Sequence, residues 1–412
     1  MNPDKTILVV GTYDTKHDEL TYLASRIRAM GGGVLTMDVS ILRDPKGAVD
    51  ISKHDVAAAA GSSIAAAIAL DDENGAMQVM AQGAVVMARQ LLSQGRIDAA
   101  IVLGGTMGTD LALDLCAALP LGVPKYIVST VSFSAMIPPE RLAPDIQMIL
   151  WAGGLFGLNS ICKAVLSQAA GAVLGAARAV EKPGFDRPII GITGFSSTVL
   201  NYVIALKPAL EQRGFDVAVF HATGMGGRAF EGLAAQGAFA AVLDFAPQEV
   251  GNHLMGTTIT AGADRLTAAG LAGIPQIIAP GCVDLIDYVA WGGPPARFAA
   301  HPAHAHNRLL ASIGLKSAER REVAQAICAK LATATGPVTF LLPTQGFHVW
   351  DRPDAPLHDA GAIDAFCDEL TTHCPQNVRL IRLDAHINDP AFVTAALAVV
   401  DDWQAKGILP AT

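Results

Sequence analysis

The stretch Thr6-Ile-Leu-Val-Val10-Gly11-Thr12-Tyr13-Asp14-Thr15-Lys16 passes from a buried-strand pattern into a glycine-led turn rich in hydroxyl groups. A helical pattern follows from about His17. Backbone N–H groups and the positive end of a helix dipole meet at such a turn, so it suits anion binding. The sequence therefore predicts a phosphate-binding turn after the first strand.

A second turn of the same kind follows the apolar run 98–103. It reads Gly104-Gly105-Thr106-Met107-Gly108-Thr109 and precedes a helical pattern at 111–119. Open α/β sheets bind ligands at the carboxyl ends of their strands, so two such turns favour a nucleotide. Neither turn matches G-x-G-x-x-G or G-x-x-x-x-G-K-[ST]. Each turn alone could equally be an ordinary strand-to-helix connection, with Gly for backbone freedom and Thr as an N-cap.

Composition bounds the class of protein. The chain has 412 residues, of which 51% are hydrophobic and 16% charged, which predicts two or more domains with helices covering buried parallel strands. A net charge of −9 argues against a nucleic-acid partner. The apolar stretch 146–158 is short and broken by glycines, the first residues show no signal-peptide pattern, and the six cysteines lack C-x-x-C spacing. We expect a cytoplasmic protein without a membrane partner.

Strand and helix patterns alternate, are interrupted by the charged, proline-bounded segment 181–188, and then restart. Strands are predicted at about 5–10, 33–38, 98–103, 124–129, 189–193, 216–221, 240–245, 274–279, 338–342 and 378–383, and a long helix at about 157–180. This alternation predicts an α/β protein of two Rossmann-like lobes, each a mainly parallel doubly wound sheet, facing each other across a cleft. We assign residues 1–183 to a nucleotide-binding lobe and 184–412 to a lobe with a substrate site.

Polar groups follow several predicted strands of the second lobe. They are Ser196 and Ser197 after Gly194; His221 to Arg228, with Gly226 and Gly227; Gly281 and Cys282; and His306 and Asn307, with Arg297 upstream. A cation after a Gly-rich turn suits an oxyanion or carboxylate. The serine turn is not G-x-S-x-G, which disfavours a serine hydrolase. Cys282 could be a thiolate nucleophile, although a lone cysteine in an apolar turn is more often inert packing.

Three histidines, His301, His304 and His306, lie within six residues, and Asp284 and Asp287 lie upstream. Imidazole and carboxylate groups could bind a metal. The spacing H-x-x-H-x-H is not a recognised ligand pattern, however, and a solvated loop explains it more simply. We assign no metal site and interpret His306 and Asn307 as polar contacts for a substrate.

Taken together, these motifs resemble the ATP-binding family named after the tobamovirus-resistance protein of tomato, most of whose members are bacterial proteins of unassigned function. The motifs that carry the resemblance are residues 11–16, 104–109, 119–125, 128–130, 157–159, 221–228, 261–265, 280–281, 306–307 and 386–389. The resemblance covers nearly all of the chain, and we expect the additional C-terminal barrel of some relatives to be missing. Departures at Asn74, 131–134, 147–154 and Arg308 indicate a divergent subgroup.

The resemblance implies ATP, with magnesium, in the N-terminal lobe. Thr12, Thr15 and Lys16 would then hold phosphates, and Asp14 would orient magnesium. Asp38, after the second strand, would bind the ribose, as acidic residues do in related topologies. The full set of expected nucleotide contacts is Gly11, Thr12, Tyr13, Asp14, Thr15, Lys16, Asp38, Gly104, Gly105, Thr106, Gly108, Thr109, Ser129 and Thr130.

Two functions from different classes remain open. The first is an ATP-dependent enzyme on a small anionic metabolite, oriented by Arg228, His306 and Arg297, with His253 as general base. The second is a nucleotide-gated binding protein without turnover, as the plant relative's binding of viral replication proteins suggests. An NAD-dependent oxidoreductase is disfavoured because the dinucleotide fingerprint is missing. We also expect a homo-oligomer.

Overall fold

The computed structural model describes residues 4–181, 184 and 186–410. The chain divides into two compact units, 1–183 and 184–412, and each is described by itself below. Residues 182, 183 and 185 of the predicted linker lie outside the described residues.

The N-terminal unit alternates strands and helices, and the four strands expected from the sequence are confirmed. Its elements in the described residues are β1 (Thr6–Gly11), α1 (His17–Ala29), β2 (Gly33–Asp38), α2 (Lys53–Ala59), α3 (Ile64–Ile68), α4 (Glu73–Ser93), β3 (Ala99–Gly104), α5 (Thr106–Ala118), β4 (Lys125–Ser129), β5 (Ile146–Leu150) and α6 (Ser160–Ala179). The strands form one parallel sheet in the order β2-β1-β3-β4-β5. β5 is a strand that the sequence patterns did not predict.

Alternate side chains of β1 enter two separate cores, one on each face of the sheet. Leu8 and Val10 pack with residues of α2 to α5, whereas Ile7 and Val9 pack with residues of α1 and α6. Helices therefore cover both faces, which is the predicted doubly wound arrangement.

One described helix, α6, is long and apolar enough to cross a membrane by length and composition. Its side chains Leu166, Val173 and Leu174 pack into the core with α1 and β1. Core helices of soluble α/β proteins have this composition too, and the packing gives α6 that role here.

The C-terminal unit repeats the arrangement, and the six strands expected there are also confirmed. Its described elements are β6 (Ile189–Gly194), α7 (Ser196–Gln212), β7 (Asp216–His221), α8 (Met225–Ala235), β8 (Ala241–Asp244), α9 (Gln248–Leu254), α10 (Ala268–Leu271), β9 (Gln276–Ile278), β10 (Leu285–Val289), β11 (Ala303–Ala305), β12 (Leu310–Gly314), α11 (Ser317–Leu331), β13 (Val338–Pro343), α12 (Ala360–His373), β14 (Val378–Leu383) and α13 (Pro390–Ala405). Six of the strands form a parallel sheet in the order β14-β13-β9-β8-β6-β7.

The strands β10, β12 and β11 form a separate antiparallel sheet between β9 and α11 in the chain. The sequence patterns did not predict this sheet. It matters for function because its register sets Asp287 opposite Ser312, and the turn between β11 and β12 contains His306.

Candidate functional site

The strand order of the N-terminal lobe creates a crevice between β1 and β3. From β1 the chain first adds β2 towards one edge of the sheet, and then adds β3 on the opposite flank of β1. Ligands of open α/β sheets bind at such a switch point, beyond the carboxyl ends of the strands. A cavity of about 210 Å³ lies there. Its lining residues are Thr12, Asp14, Thr15, Lys16, Ile41, Leu42, Glu73, Met77, Gly104, Gly105, Thr106, Met107 and Gly108. Both turns singled out in the sequence thus line one cavity.

The turn after β3 presents the amino end of α5 to this cavity. A Cβ on Gly104 would lie 2.5 Å from the Cα of Gly108, so only glycine allows the strand to turn so tightly into the helix. Gly105 is the N-cap, and no side chain caps the helix. The first N–H groups of α5 have no intrahelical acceptor and are available for an anion.

Three further residues expected to contact the nucleotide brace this turn. The Thr109 hydroxyl lies 2.6 Å from the Ser129 hydroxyl and donates to the Gly105 carbonyl at 2.7 Å. The Thr130 N–H donates to the Gly104 carbonyl at 3.3 Å. Thr109 and Ser129 are buried, so their hydroxyl groups hold the backbone in place.

The turn after β1 is held by a buried carboxylate. Asp38 Oδ1 accepts hydrogen bonds from the backbone N–H groups of Tyr13 at 3.1 Å and Ser40 at 3.0 Å. Burial raises the pKa of Asp38, and these hydrogen bonds oppose the rise. Asp38 and Tyr13 are both fully buried, and the Tyr13 hydroxyl donates to the Val9 carbonyl at 3.5 Å. The ribose contact of Asp38 stays a prediction.

Asp14 and Lys16 face the cavity with spare capacity for ligands. Asp14 Oδ2 accepts hydrogen bonds from the N–H groups of Leu42 and Arg43, whereas its buried Oδ1 has no partner among the described residues. Lys16 Nζ lies 3.4 Å from the Leu155 carbonyl oxygen and 5.7 Å from the centre of the exposed Phe156 ring. Lys16 is therefore held weakly, and Thr12 and Thr15 pair their hydroxyl groups at 3.0 Å beside it.

A larger cavity of about 410 Å³ lies at the opposite edge of the same sheet. It is lined by 121–124, Tyr126, Asp145, Gln147 and the end of α6, near the amino ends of β4 and β5. Its lining is mainly apolar and carries no helix amino end. We do not assign it to a nucleotide, since ligands of such sheets bind beyond the carboxyl ends of the strands.

In the C-terminal lobe, the turn after β6 holds a strained serine. Ser196 has a φ of 51°, a conformation that favours glycine, and its N–H donates to His221 Nε2 at 3.3 Å. The His221 ring stacks on Phe195 at 5.7 Å, and the edge of His306 meets the same phenyl ring at 5.4 Å. The ends of β6 and β7 are thereby joined to the turn between β11 and β12.

Trp350 completes this aromatic cluster. Its ring lies 4.7 Å from His304, 4.9 Å from His306 and 5.5 Å from His348, measured between centroids. Burial, and to a smaller extent the imidazole rings of His304, His221 and His348, together lower the pKa of His306 to about 4. His306 is therefore neutral near pH 7.

A chain of hydrogen bonds runs from His306 into the lobe. His306 Nε2 lies 2.8 Å from the Ser312 hydroxyl, which donates to Asp287 Oδ1 at 2.5 Å. Asn252 donates from Nδ2 to Asp287 Oδ2 at 3.3 Å and accepts the Asp287 N–H at 2.8 Å. Ser312, Asp287 and Asn252 are all fully buried. Burial raises the pKa of Asp287 to about 6, and the hydrogen bonds from Ser312 and Asn252 oppose the rise.

The predicted cradle between His221 and Arg228 is filled by a carboxylate of the chain itself. Glu249 Oε1 accepts the N–H groups of Gly224 at 2.5 Å and Gly227 at 3.2 Å. A Cβ on Gly227 would collide with the Glu249 carboxylate. Arg228 is nearly buried and donates to Asp264 at 2.7 Å. The anion-binding geometry expected from the sequence is present, but the chain uses it internally.

Arg265 lies at the centre of this internal network. Its guanidinium contacts Asp244, Glu249 at 2.7 Å and Glu231 at 3.1 Å, and all four side chains are buried. Burial raises the pKa of Glu249 to about 7, against the lowering effect of Arg265. One buried cation therefore joins the end of β8, the middle of α8 and the first turn of α9.

A third charged group, Asp284, His348 and Asp351, is the described set whose ligand atoms lie close enough together to hold a metal. Arg320 lies 3.0 Å from Asp284, as an ion pair, and His386 lies 2.8 Å from Asp351. Burial raises the pKa of Asp284, but His348 and Arg320 lower it more, to about 2. These neighbours balance the charge of the two carboxylates, so we interpret the group as an ion-pair network, although both Asp284 oxygens and His348 Nε2 have no hydrogen-bond partner among the described residues.

The remaining predicted residues of this lobe are not part of the aromatic cluster of Phe195, His221, His304, His306 and Trp350. His301 pairs with Glu319 at 3.0 Å, so the three histidines of its segment do not converge on one point. Asn307 Oδ1 accepts the N–H groups of Leu309 and Leu310 and thereby shapes the turn. His253 and Arg297 are exposed. Their roles, and that of exposed Ser197, stay predictions.

Three other predicted residues, Gly226, Gly281 and Cys282, have surroundings that indicate a structural role. A Cβ on Gly281 or Gly226 would collide with the backbone at Phe245 or His221, which requires glycine at both positions. Cys282 is fully buried, and burial raises the pKa of its thiol well above the ordinary value. The inert alternative therefore describes Cys282 better than a thiolate nucleophile.

Sequence reasoning missed the participation of Ser312, Asn252 and Trp350, and it considered Asp287 only as a metal ligand. The one local signal is that Ser312 is a polar residue within a short run of apolar and small residues, 310–314, which forms a buried strand. The partner strand lies 25 residues away, and no local pattern gives that pairing.

Family comparisons agree with the motifs. A family model described as the N-terminal domain of the uncharacterised protein family UPF0261 matches residues 5–182, and its C-terminal counterpart matches 187–404. A UPF0261 protein of Brucella melitensis is 54% identical over 98% of this chain and 96% of its own length. A UPF0261 protein of Clostridium tetani is 33% identical over 95% and 97%.

The relationship to the tomato protein expected from the motifs is also found. The ToMV susceptible protein tm-1(GCR26) of Solanum lycopersicum is 28% identical over 94% of this chain, and the match spans 54% of the tomato protein. Both lobes are covered by family models and by bacterial relatives over nearly their whole length. The chain therefore belongs to the uncharacterised protein family UPF0261.

Proposed function

We propose that the N-terminal lobe binds ATP with magnesium and that the protein is an ATP-dependent enzyme acting on a small anionic metabolite. The single observation that carries the nucleotide part is the cavity at the β1/β3 switch point, where the uncapped amino end of α5 faces Lys16 and Asp14. Helix N–H groups and a lysine suit phosphate oxygens. The buried Asp14 Oδ1, which has no described partner, suits a divalent cation.

The size of the cavity limits what it would hold. At about 210 Å³ it is smaller than the 300–1,000 Å³ typical of pockets that enclose a whole ligand. We therefore assign the polyphosphate to the cavity and leave the base and ribose to the surface beyond it. Bound ATP would supply a phosphoryl group, and magnesium would neutralise its charge. Lys16 and the α5 amino end would orient the phosphates.

The enzyme part rests on the C-terminal lobe. A neutral histidine, His306, stands beside a strained serine turn at the carboxyl ends of β6 and β7. Strained residues and perturbed pKa values gather at catalytic sites, although they occur in structural networks too. The free state of all six cysteines supports a reducing, cytoplasmic setting. A homo-oligomer stays a prediction.

The nucleotide part is tested at Thr106, an exposed first residue of α5 that lines the cavity. The new carboxylate of Thr106→Glu interacts favourably with the positive end of the helix dipole, so we expect the stability of the fold to be unchanged or higher. The same carboxylate repels phosphate, so we expect ATP affinity to fall at least tenfold, about 1.4 kcal/mol. The neutral match Thr106→Gln should keep affinity within about threefold, roughly 0.7 kcal/mol. Calorimetric titration with magnesium and ATP measures both. Wild-type protein that does not bind ATP, or equal affinities for both variants, would reject the site.

The enzyme part is tested by a thermal-shift screen of small organic acids and sugar acids with magnesium and ATP present. A metabolite that raises the melting temperature and stimulates ATP consumption would support the enzyme. If ATP alone shifts the melting temperature and no ATP is consumed, the protein is instead a nucleotide-gated binding protein.

A further inference from the structure

We propose that His306 is the general base of the C-terminal lobe and that Asp287, acting through Ser312, is the positioning group that fixes its tautomer. This assigns the base to His306 in place of exposed His253, and it gives Asp287 and Ser312 a role in proton transfer. The inference rests on the proposed enzyme only in requiring a substrate at this site.

The tautomer follows from the direction of the hydrogen bonds. An ionised Asp287 can only accept, so the Ser312 hydroxyl hydrogen points to Asp287 at 2.5 Å. The Ser312 oxygen must then accept from His306 Nε2, at 2.8 Å. The proton of neutral His306 therefore resides on Nε2, and Nδ1 carries the free lone pair. All members of the chain behind His306 are fully buried, so water does not compete for these bonds.

The surroundings keep His306 neutral and in one orientation. Its ring meets Phe195 edge-on at 5.4 Å and Trp350 at 4.9 Å. The titratable groups that face it are His304 from β11, His221 at the end of β7 and His348 after β13, together with Asp287 through Ser312. Each of these imidazoles, when protonated, would repel a charge on His306. His306 is half-buried, so a small molecule can reach the ring.

The proton step can be written in full. Nδ1 of His306 takes a proton from an X–H group of the substrate, where X is oxygen, nitrogen or activated carbon. The X–H bond breaks, its electron pair stays on X, and an Nδ1–H bond forms. The imidazolium keeps its Nε2–H on Ser312, and the negative charge of Asp287 stabilises it from behind. Transfer of the same proton to product or water restores the neutral ring.

The first test reads the tautomer directly and needs neither nucleotide nor substrate. In nitrogen-15 histidine spectra of the full chain at pH 7, we expect wild-type His306 to be protonated on Nε2 alone. Ser312→Ala should give a mixture of tautomers, and Ser312→Thr, which keeps the hydroxyl, should restore the single form. A wild-type His306 that is protonated on Nδ1 would overturn the inference.

The second test measures the reactivity of Nδ1 with diethyl pyrocarbonate at pH 7.5, with sites located by mass spectrometry. Burial raises the pKa of Asp287 to about 6, so at this pH Asp287 is ionised and can fix the tautomer of neutral His306. His306 should react at Nδ1, and Ser312→Ala should slow its modification at least threefold, whereas the control Ser312→Thr, which keeps the hydroxyl, should not. An unreactive His306 would refute the base, and equal rates in wild type and Ser312→Ala would refute the positioning role. Either result stands whether or not ATP binds, so it is distinguishable from failure of the proposed function.

Discussion

Replacement of Lys16 should separate ligand binding from folding. Lys16 lines the switch-point cavity, and among the described residues its ammonium group makes two weak contacts. These are the Leu155 carbonyl oxygen at 3.4 Å and the exposed Phe156 ring at 5.7 Å. The side chain therefore contributes little to the fold, and its charge is available to a phosphate.

The magnitude follows from these contacts. An exposed cation–π contact contributes about 0.5–1 kcal/mol, and a hydrogen bond as long as 3.4 Å adds little. Lys16→Ala should therefore lower the free energy of unfolding by about 1 kcal/mol or less. A charge-assisted contact to a phosphate contributes about 1.5–3 kcal/mol, so the same change should weaken ATP binding tenfold or more.

Lys163 provides a matched control. Its Nζ lies 5.8 Å from the Tyr22 ring, a contact of the same kind in the same lobe, and it does not line the cavity. Urea unfolding should show equal small losses for Lys16→Ala and Lys163→Ala. Calorimetric titration with magnesium and ATP should show reduced affinity for Lys16→Ala alone. Equal affinities in the two folded variants would refute the assignment of this turn to phosphate.

Three further predictions concern stability, and urea unfolding checks each. Gly104→Ala should lower the free energy of unfolding by about 1–3 kcal/mol, because the new Cβ would lie 2.5 Å from the Cα of Gly108. In Gly108→Ala the nearest contact of the new Cβ is at 3.5 Å, so this change should be neutral or should stabilise the helix by up to about 1 kcal/mol. Arg265→Met leaves three buried carboxylates without their cation and should lower the free energy of unfolding by about 3–5 kcal/mol. The control Arg228→Met should lower it by about 1 kcal/mol or less, because the partner of Arg228, Asp264, is half-exposed. Burial raises the pKa of Asp287 from 3.8 to about 6, so the folded state holds a proton that the unfolded state has lost between these values. Stability should therefore fall as pH rises through this window, by up to about 1.4 kcal/mol per unit from this group, and Asp287→Asn should remove that part of the slope.

Most of the fold could be predicted because the buried parallel strands are short apolar runs between glycine-rich turns. The run 6–10 is an example, since it is apolar on both faces and ends at Gly11. β5 escaped prediction because Ile146-Gln-Met-Ile-Leu150 continues into an apolar, glycine-broken stretch without a clear boundary. β11 escaped because it has three residues and lies among prolines and histidines.

The features of the candidate sites could likewise be predicted only where their determinants are close together in the sequence. The geometry of the turn after β3 could be predicted because its determinants, Gly104 and the amino end of α5, are adjacent in the sequence. The sequence could not point to His306 as the base that we propose, because this choice depends on Ser312 and Asp287, which meet through antiparallel register. The Gly-rich turn at 224–227 was interpreted as open, since nothing local shows that Glu249 occupies it.

The two lobes share one strand order, with a switch point between β1 and β3 in the first and between β6 and β8 in the second. Their helix amino ends differ in what fills them. No side chain caps α5, whereas the turn that begins α8 already holds the Glu249 carboxylate, which Arg265 fixes in place at 2.7 Å. An anion at α8 would have to displace a buried, paired group, and that costs several kcal/mol. This difference is why we propose phosphate binding for the first lobe, and for the second lobe proton transfer at His306.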